Sequence, residues 1–319
     1  MENHLLVSSS PHFRSSDTTN RIMRDVVIAL LPAAICGIYF FGIRSFLVMA
    51  TTILACVVSE YVTRRVMKRE NTIGDFSAVV TGILLALNLP STIPLWIAAV
   101  GGVIAIVLVK QVFGGLGQNF MNPALAARVM LLVSWPVQMT KWVTLGPDAV
   151  STATPLAILK SKEALDAVLP NYFNMLVGNI SGSIGETSVL ALLIGATYLL
   201  YRKVITLEIP VAFVGTLALF TWIFGGKEGL FSGDFIAHIL AGGLFLGAFF
   251  MATDYSSSPV TFKGRLIMGI GCGLLTGIIR LFTNYPEGVS FAILLMNIAT
   301  PLIDRYTIPT SFGGEKASA

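Results

Sequence analysis

Charge is what this chain has least of. Asp, Glu, Lys and Arg make up 12% of its 319 residues, against about 25% in soluble proteins. That shortage excludes a soluble globular domain. With 55% hydrophobic residues and a mean hydropathy of +0.79, it reads as an integral membrane protein. Cysteine is scarce too. Cys36, Cys56 and Cys272 each fall inside an apolar run, without the close pairing or neighbouring histidine that zinc or iron–sulfur ligation needs, so they read as packed small hydrophobes. His4, His12 and His238 are scattered, and no metal site built by this chain alone is expected. The net charge of +4 comes from Lys and Arg at helix ends and forms no continuous basic stripe, which argues against a nucleic-acid partner. The first 25 residues hold no apolar core of a signal peptide, so Met1 is expected to stay in the cytoplasm behind an uncleaved first anchor.

What is there is a succession of apolar runs with short polar joints. They predict an all-α fold of about ten transmembrane helices: Val26 to Phe41, Phe46 to Val62, Phe76 to Asn88, Leu95 to Phe113, Asn122 to Trp135, then Ser188 to Tyr201, Leu207 to Phe224, Phe235 to Thr253, Leu266 to Phe282 and Val289 to Ile303. The division that follows is a cytoplasmic tail (1–25), a first five-helix unit (26–135), one long loop (136–186), a second five-helix unit (187–305) and a cytoplasmic tail (306–319). Of the 21 Lys and Arg, fourteen fall inside on this scheme. Six (Arg44, Lys141, Lys160, Lys162, Lys227 and Arg280) fall outside, and Arg128 falls within a span. The bias puts both termini in the cytoplasm and the 136–186 loop on the extracytoplasmic face.

Laid over each other at an offset of about 163 positions, the halves match as repeats. Leu89 to Pro94 falls near Asp254 to Pro259, and Asn122-Pro123-Ala124 falls on Tyr285-Pro286-Glu287. Five spans per half is odd, so the two copies must be inverted in the membrane, as in transporter folds with interrupted helices at their sites.

Charges within spans default to functional hypotheses because they are costly. Glu60, Lys110, Arg265, Asp304 and Arg305 lie near enough to the interface to snorkel or face water, whereas Arg128 is deeper. Two polar clusters remain. The inner one gathers Gly114 to Asn122 with Asp254 and Lys263, and Asn122 and Asp254 are the candidates there for holding a noncovalent flavin or a cation. The outer one gathers Asn88, Arg280, Asn284, Tyr285 and Glu287. Either cluster could equally be a tight turn or a subunit contact.

On the outer side also lies Asp148-Ala149-Val150-Ser151-Thr152-Ala153-Thr154-Pro155. Thr154 stands where a helix N-cap belongs and Pro155 at the first helical position, with helical pattern to about Val168. Capping alone would account for the threonine. A phosphate esterified to its hydroxyl would also suit a helix start, and spacing does not choose between the two.

The segment resembles the Asp-x-x-Ser/Thr-Gly-Ala-Thr signal at which flavin transferases attach FMN to a threonine. Asp148, Ser151, Ala153 and Thr154 agree, and Thr152 departs from the usual glycine. More widely, Ser9-Ser10-Pro11-His12, Arg21 to Asp25, Gly114 to Asn119, Asn122-Pro123-Ala124, Met251 to Asp254 and Tyr285 to Gly288 resemble the D subunit of the Rnf complex. The longer B subunit of the Na⁺-translocating NADH:quinone reductase is similar. The resemblance implies a flavoprotein subunit, not catalytic alone, of a complex coupling electron transfer between ferredoxin and NAD⁺ to Na⁺ or H⁺ translocation. It implies covalent FMN on Thr154 and a further noncovalent flavin such as riboflavin. As partners it implies other membrane and peripheral Rnf subunits, one carrying a second flavin, a flavin transferase for maturation, and the lipid of the bacterial cytoplasmic (inner) membrane. Tyr285 and Glu287 are expected beside the outer flavin. The competing reading is a ten-helix inverted-repeat channel or small-solute transporter without a redox role.

Overall fold

A computed structural model of the chain describes residues 18–143, 152–160, 169–226, 229–283, 285, 287–307 and 309. His4, His12, Arg14, Asp148, Ser151, Lys162, Lys227, Asn284 and Pro286 lie outside them. The described residues fold into helices, with no strand among them. The chain begins with α1 (Thr19–Phe41), capped by Thr18, whose hydroxyl accepts from the Arg21 amide, and turns at Gly42 into α2 (Ile43–Val66). A 3₁₀ turn (Ile73–Asp75) leads to α3 (Ser77–Leu87). Next come α4 (Leu95–Val103), prolonged as a π-helix (Ile104–Gln111), and α5 (Pro123–Ser134).

The connecting region holds three short helices, α6 (Pro136–Met139), α7 (Pro155–Lys160) and α8 (Tyr172–Val177). The second half repeats the plan with α9 (Val189–Tyr201), α10 (Glu208–Phe224), α11 (Phe235–Leu240), α12 (Leu244–Leu246) running into a π-helix (Gly247–Met251), α13 (Phe262–Phe282) and α14 (Val289–Thr307). Helices thus occupy all ten apolar stretches, but among the described residues only α1, α2 and α13 are long and apolar enough to cross a membrane alone. With 11 residues, α3 reaches about 16 Å, half the hydrocarbon thickness of about 30 Å.

The short elements are explained by a break that recurs in both halves. Before α3 the chain passes through a left-handed residue, Phe76 (φ 62°), and between α11 and α12 it passes through Gly242 (φ 74°). Their separation of 166 positions lies close to the repeat offset. Contacts between the halves fall on that offset as well. Asn88 Nδ2 donates to Met251 Sδ at 3.5 Å, 163 positions on, and Arg128 Nη1 donates to Ser290 Oγ at 2.6 Å, 162 positions on.

The halves are joined tightly. α1 lies against α9, where a Cβ built on Gly195 would come within 1.9 Å of the Ala29 carbonyl oxygen, so only glycine permits that approach. The connecting region is likewise not a free loop. The amides of Ile184 and Gly185 donate to the carbonyls of Leu89 and Leu87 at 3.1 and 2.9 Å, which satisfies the open end of α3 from a segment nearly a hundred residues on.

Two sequence-based expectations are corrected by the packing. Glu60 and Lys110 do not face water: they are 0% and 1% exposed and paired, Lys110 Nζ donating to Glu60 Oε2 at 2.9 Å, Glu60 Oε1 at 3.1 Å and Ser77 Oγ at 2.6 Å. Gln111 and Thr72 supply further donors to Glu60 Oε1. Burial on this scale requires such partners, and the charges meet because α2 packs on the π-helix that carries Lys110. Arg280, counted as an outer cation, is buried too, donating to the carbonyls of His238, Ala241 and Glu287. Removing Lys110 and Arg280 from the charge count leaves the bias in the same direction. Arg265 and Asp304 behave as expected, partly exposed and near Glu208 and Val260.

Candidate functional site

The inner cluster condenses around one cleft of about 770 Å³, lined among others by Ser77, Lys110, Leu116, Asn119, Asn122, Phe249, Asp254 and Tyr255. Asn122 caps α5: its Oδ1 accepts from the amides of Ala124 and Leu125 at 3.0 and 3.3 Å, and its Nδ2 donates to the Met251 carbonyl at 3.3 Å. One amide hydrogen is then left for a ligand. Asp254 Oδ2 accepts from Ser256 and Ser257 hydroxyls at 2.9 and 3.2 Å, and burial pushes its carboxyl above the usual range against those hydrogen bonds. The structure thus brings Asn122, Asp254 and Asn119 of the inner cluster to one cleft and adds Lys110, which the sequence did not place there. Lys263 is exposed and does not line it.

The outer cluster is built on Arg128, which α5 carries into the middle of the molecule. Its guanidinium faces Glu287 just before α14, Ser290 within that helix's first turn, and Glu186 at 3.4 Å. All but Glu287 are nearly inaccessible. Ser183 donates to Glu186 Oε2 at 2.7 Å. Burial and the neighbouring Glu287 push the Glu186 carboxyl up, to about 7, with Arg128 opposing. Asn88 does not join this group, since its amide donates to the Leu84 carbonyl and to Met251.

Thr154 opens onto the same cluster. It is 7% exposed and lines a cleft of about 300 Å³ with Ser181, Gly182, Glu186, Thr187, Gly242 and Glu287. As expected of a cap, its hydroxyl accepts from the Ala157 amide at 3.2 Å. The segment is held on both sides. The Thr152 hydroxyl lies 2.6 Å from that of Ser181, and Lys160 Nζ donates to the carbonyls of Thr283 and Tyr285. A second cleft, of about 530 Å³, shares Glu287 and continues past Arg128 to Trp142, Tyr285 and Phe291.

Of the two residues expected from the sequence on this side, Glu287 shares the Thr154 cleft and Tyr285 lines the neighbouring one. Glu186, Ser290 and Trp142 were missed. Glu186 carries a visible signal, an isolated acid at the edge of an apolar run; the other two carry none. No group of three or more His, Cys, Asp and Glu side chains able to hold a metal ion occurs among the described residues.

Comparison with known proteins adds a family. The family model described as NQR2, RnfD, RnfE matches residues 6–313. The D subunit of the Na⁺-translocating ferredoxin:NAD⁺ oxidoreductase complex of Acetobacterium woodii is 50% identical over 318 residues, covering 99% of this chain and 97% of the relative. The D subunit of the proton-translocating ferredoxin:NAD⁺ oxidoreductase complex of Clostridium ljungdahlii is 48% identical over 321 residues, covering 98% and 97%. The D subunit of an ion-translocating oxidoreductase complex from Halorhodospira halophila is 36% identical over 343 residues, covering 98% and 96%.

Proposed function

The chain belongs to the NQR2, RnfD, RnfE family, and from that premise we propose that it is the flavin-carrying membrane subunit of an Rnf-type complex, with FMN joined to Thr154 as a phosphoester. It works among other membrane and peripheral subunits in a bacterial cytoplasmic membrane. The complex moves electrons between ferredoxin and NAD⁺ and couples that flow to translocation of Na⁺ or H⁺. Relatives of both ion types stand at 48% and 50% identity, so overall likeness does not select the ion.

The observation that carries the reading is the surroundings of Thr154. Its hydroxyl is the cap of α7, lines a cleft, and accepts a hydrogen bond that an ester oxygen can still accept. The two acids of the cleft, Glu186 and Glu287, are countered by Arg128, and the backbone of Glu287 is held by Arg280. A phosphodiester there meets a charge-balanced wall rather than a bare pair of carboxylates. FMN, when bound, supplies a centre that takes and releases one or two electrons. The chain's own part is to tether it, with Lys160 and Thr152 pinning the segment to its neighbours. The inner cleft is the second half of the proposal: Asn122 offers an amide hydrogen and Asp254 a carboxylate to a noncovalent flavin or to the coupling cation.

The test is mass spectrometry of the peptide bearing residue 154 from the chain made alongside a flavin transferase. FMN minus water is expected on the unaltered peptide and on that of Thr152→Ala, and none on Thr154→Ala. Covalent flavin that persists in the Thr154 variant, or sits on Ser151 or Thr152, would overturn the assignment. A channel or transporter without a redox role would leave the peptide unmodified in every case.

A further inference from the structure

We propose that the aromatic cleft formed by Trp142, Tyr285 and Phe291 is the seat of the isoalloxazine ring tethered at Thr154. The inference rests on the attachment reading above and adds a place for the ring.

The Thr154 cleft offers the ring little. It is the smaller of the two, about 300 Å³ against about 530 Å³, and its lining of Glu186, Glu287, hydroxyl groups and aliphatic side chains holds no aromatic ring for a flat heterocycle to stack on. The neighbouring cleft has the opposite character. It spans about 530 Å³ including the space open to solvent, is lined by Val129, Leu132, Met139 and three aromatic rings, and has a polar part where Arg128, Glu287 and Ser290 converge. A flavin ring system has the same division: a benzenoid end that prefers apolar and aromatic neighbours, and a pyrimidine end rich in hydrogen-bond donors and acceptors.

Connection between the clefts is structural and not only a matter of proximity. Glu287 lines both. The Thr152 amide donates to the Trp142 carbonyl at 3.3 Å, so the residue two before the attachment point is bonded to the backbone of the cleft's own tryptophan. On the other side Lys160, at the end of the helix that Thr154 caps, donates to the Tyr285 carbonyl at 3.1 Å. The Tyr285 ring leans on Phe291 with centroids 5.5 Å apart and its planes at 46°, and Tyr285 itself is 52% exposed. Tyr285 thus lines the cleft while keeping about half of its surface accessible.

The experiment uses the full chain, purified in detergent after production with a flavin transferase, and reads the fluorescence lifetime and iodide accessibility of the flavin. Subtracting the signal of Thr154→Ala isolates the tethered group from any noncovalent flavin. A neighbouring indole quenches flavin emission strongly, so the native protein should show a shortened, iodide-protected lifetime. Trp142→Leu and the milder Trp142→Phe should both lengthen it, and Tyr285→Leu should raise iodide access, while the mass of the Thr154 peptide stays that of the FMN adduct. A native lifetime equal to that of free FMN, or one indifferent to both Trp142 variants with the adduct present, overturns the seat and leaves the attachment standing. Absence of the adduct from the unaltered chain overturns the attachment and the seat with it.

Discussion

Replacing Lys110 with methionine should be among the most damaging single changes in this protein. The side chain is 1% exposed and its Nζ makes three hydrogen bonds within 3.1 Å, two to Glu60 and one to Ser77. Methionine fills most of the volume but removes the charge. Glu60, 0% exposed, would keep Gln111 and Thr72 as neutral donors at 3.0 Å and Arg64 at 4.0 Å, none of which replaces a buried ammonium. Breaking a buried pair by removing one partner costs about 3–5 kcal/mol. In Lys110→Met/Glu60→Gln the charge is gone from both sides, and the introduced amide oxygen still accepts from Gln111 and Thr72, so the double variant should recover about 2 kcal/mol or more of the loss expected from adding the two single effects. Unfolding in mixed micelles titrated with sodium dodecyl sulfate, followed by tryptophan fluorescence, measures all four proteins. A Lys110→Met cost below about 1 kcal/mol, the worth of a surface pair, or a double variant equal to the sum of the singles, would refute the argument.

Glu186 gives a pH signature. Its carboxyl is held up from 4.5 to about 7 by burial, so between these values the folded chain binds more protons than the unfolded one and stability falls as pH rises, by up to about 1.4 kcal/mol per pH unit; Glu186→Gln should flatten that slope, and an unchanged slope would show that the group is not the one titrating. Asp254→Ala in the inner cleft is expected to lower bound noncovalent flavin or ion transport, measured as total extractable flavin and as ion uptake by vesicles, and no change in either would reduce the cleft to a turn between helices. Cysteine introduced as Lys162→Cys in a cysteine-free background should react with an impermeant thiol reagent on intact cells while Arg69→Cys does not, and the reverse pattern would invert the topology.

The helix caps and breaks were legible because their causes are local. Asn122-Pro123 starts α5 by side-chain capping and a pre-set φ, and Thr154-Pro155 starts α7 by the same chemistry. Both halves carry a left-handed break, at Phe76 and at Gly242, 166 positions apart. What no local pattern carried is who pairs with whom: Glu60 and Lys110 are 50 positions apart, and Arg128 finds Ser290 across 162. Each looks alone like a charge near an interface. Only the packing of α2 on the π-helix, and of α5 on α14, turns them into neighbours. The inner cleft holds Asn122 with Asp254 but not Lys263, and it holds Lys110, whose position along the chain says nothing about depth once a helix is short or broken.

The burial of Thr154 has a consequence for how the molecule comes into being. Thr154, 7% exposed in a cleft it shares with Ser181, Gly242 and Glu287, offers little approach to another enzyme. If the ester forms as proposed, it must form while the segment around α7 still stands clear of the 283–287 stretch, before Lys160 closes onto Tyr285. Order of events then becomes part of the design: a chain that closes first has passed its only opportunity, and the cell would hold folded but colourless copies that no later supply of cofactor could rescue.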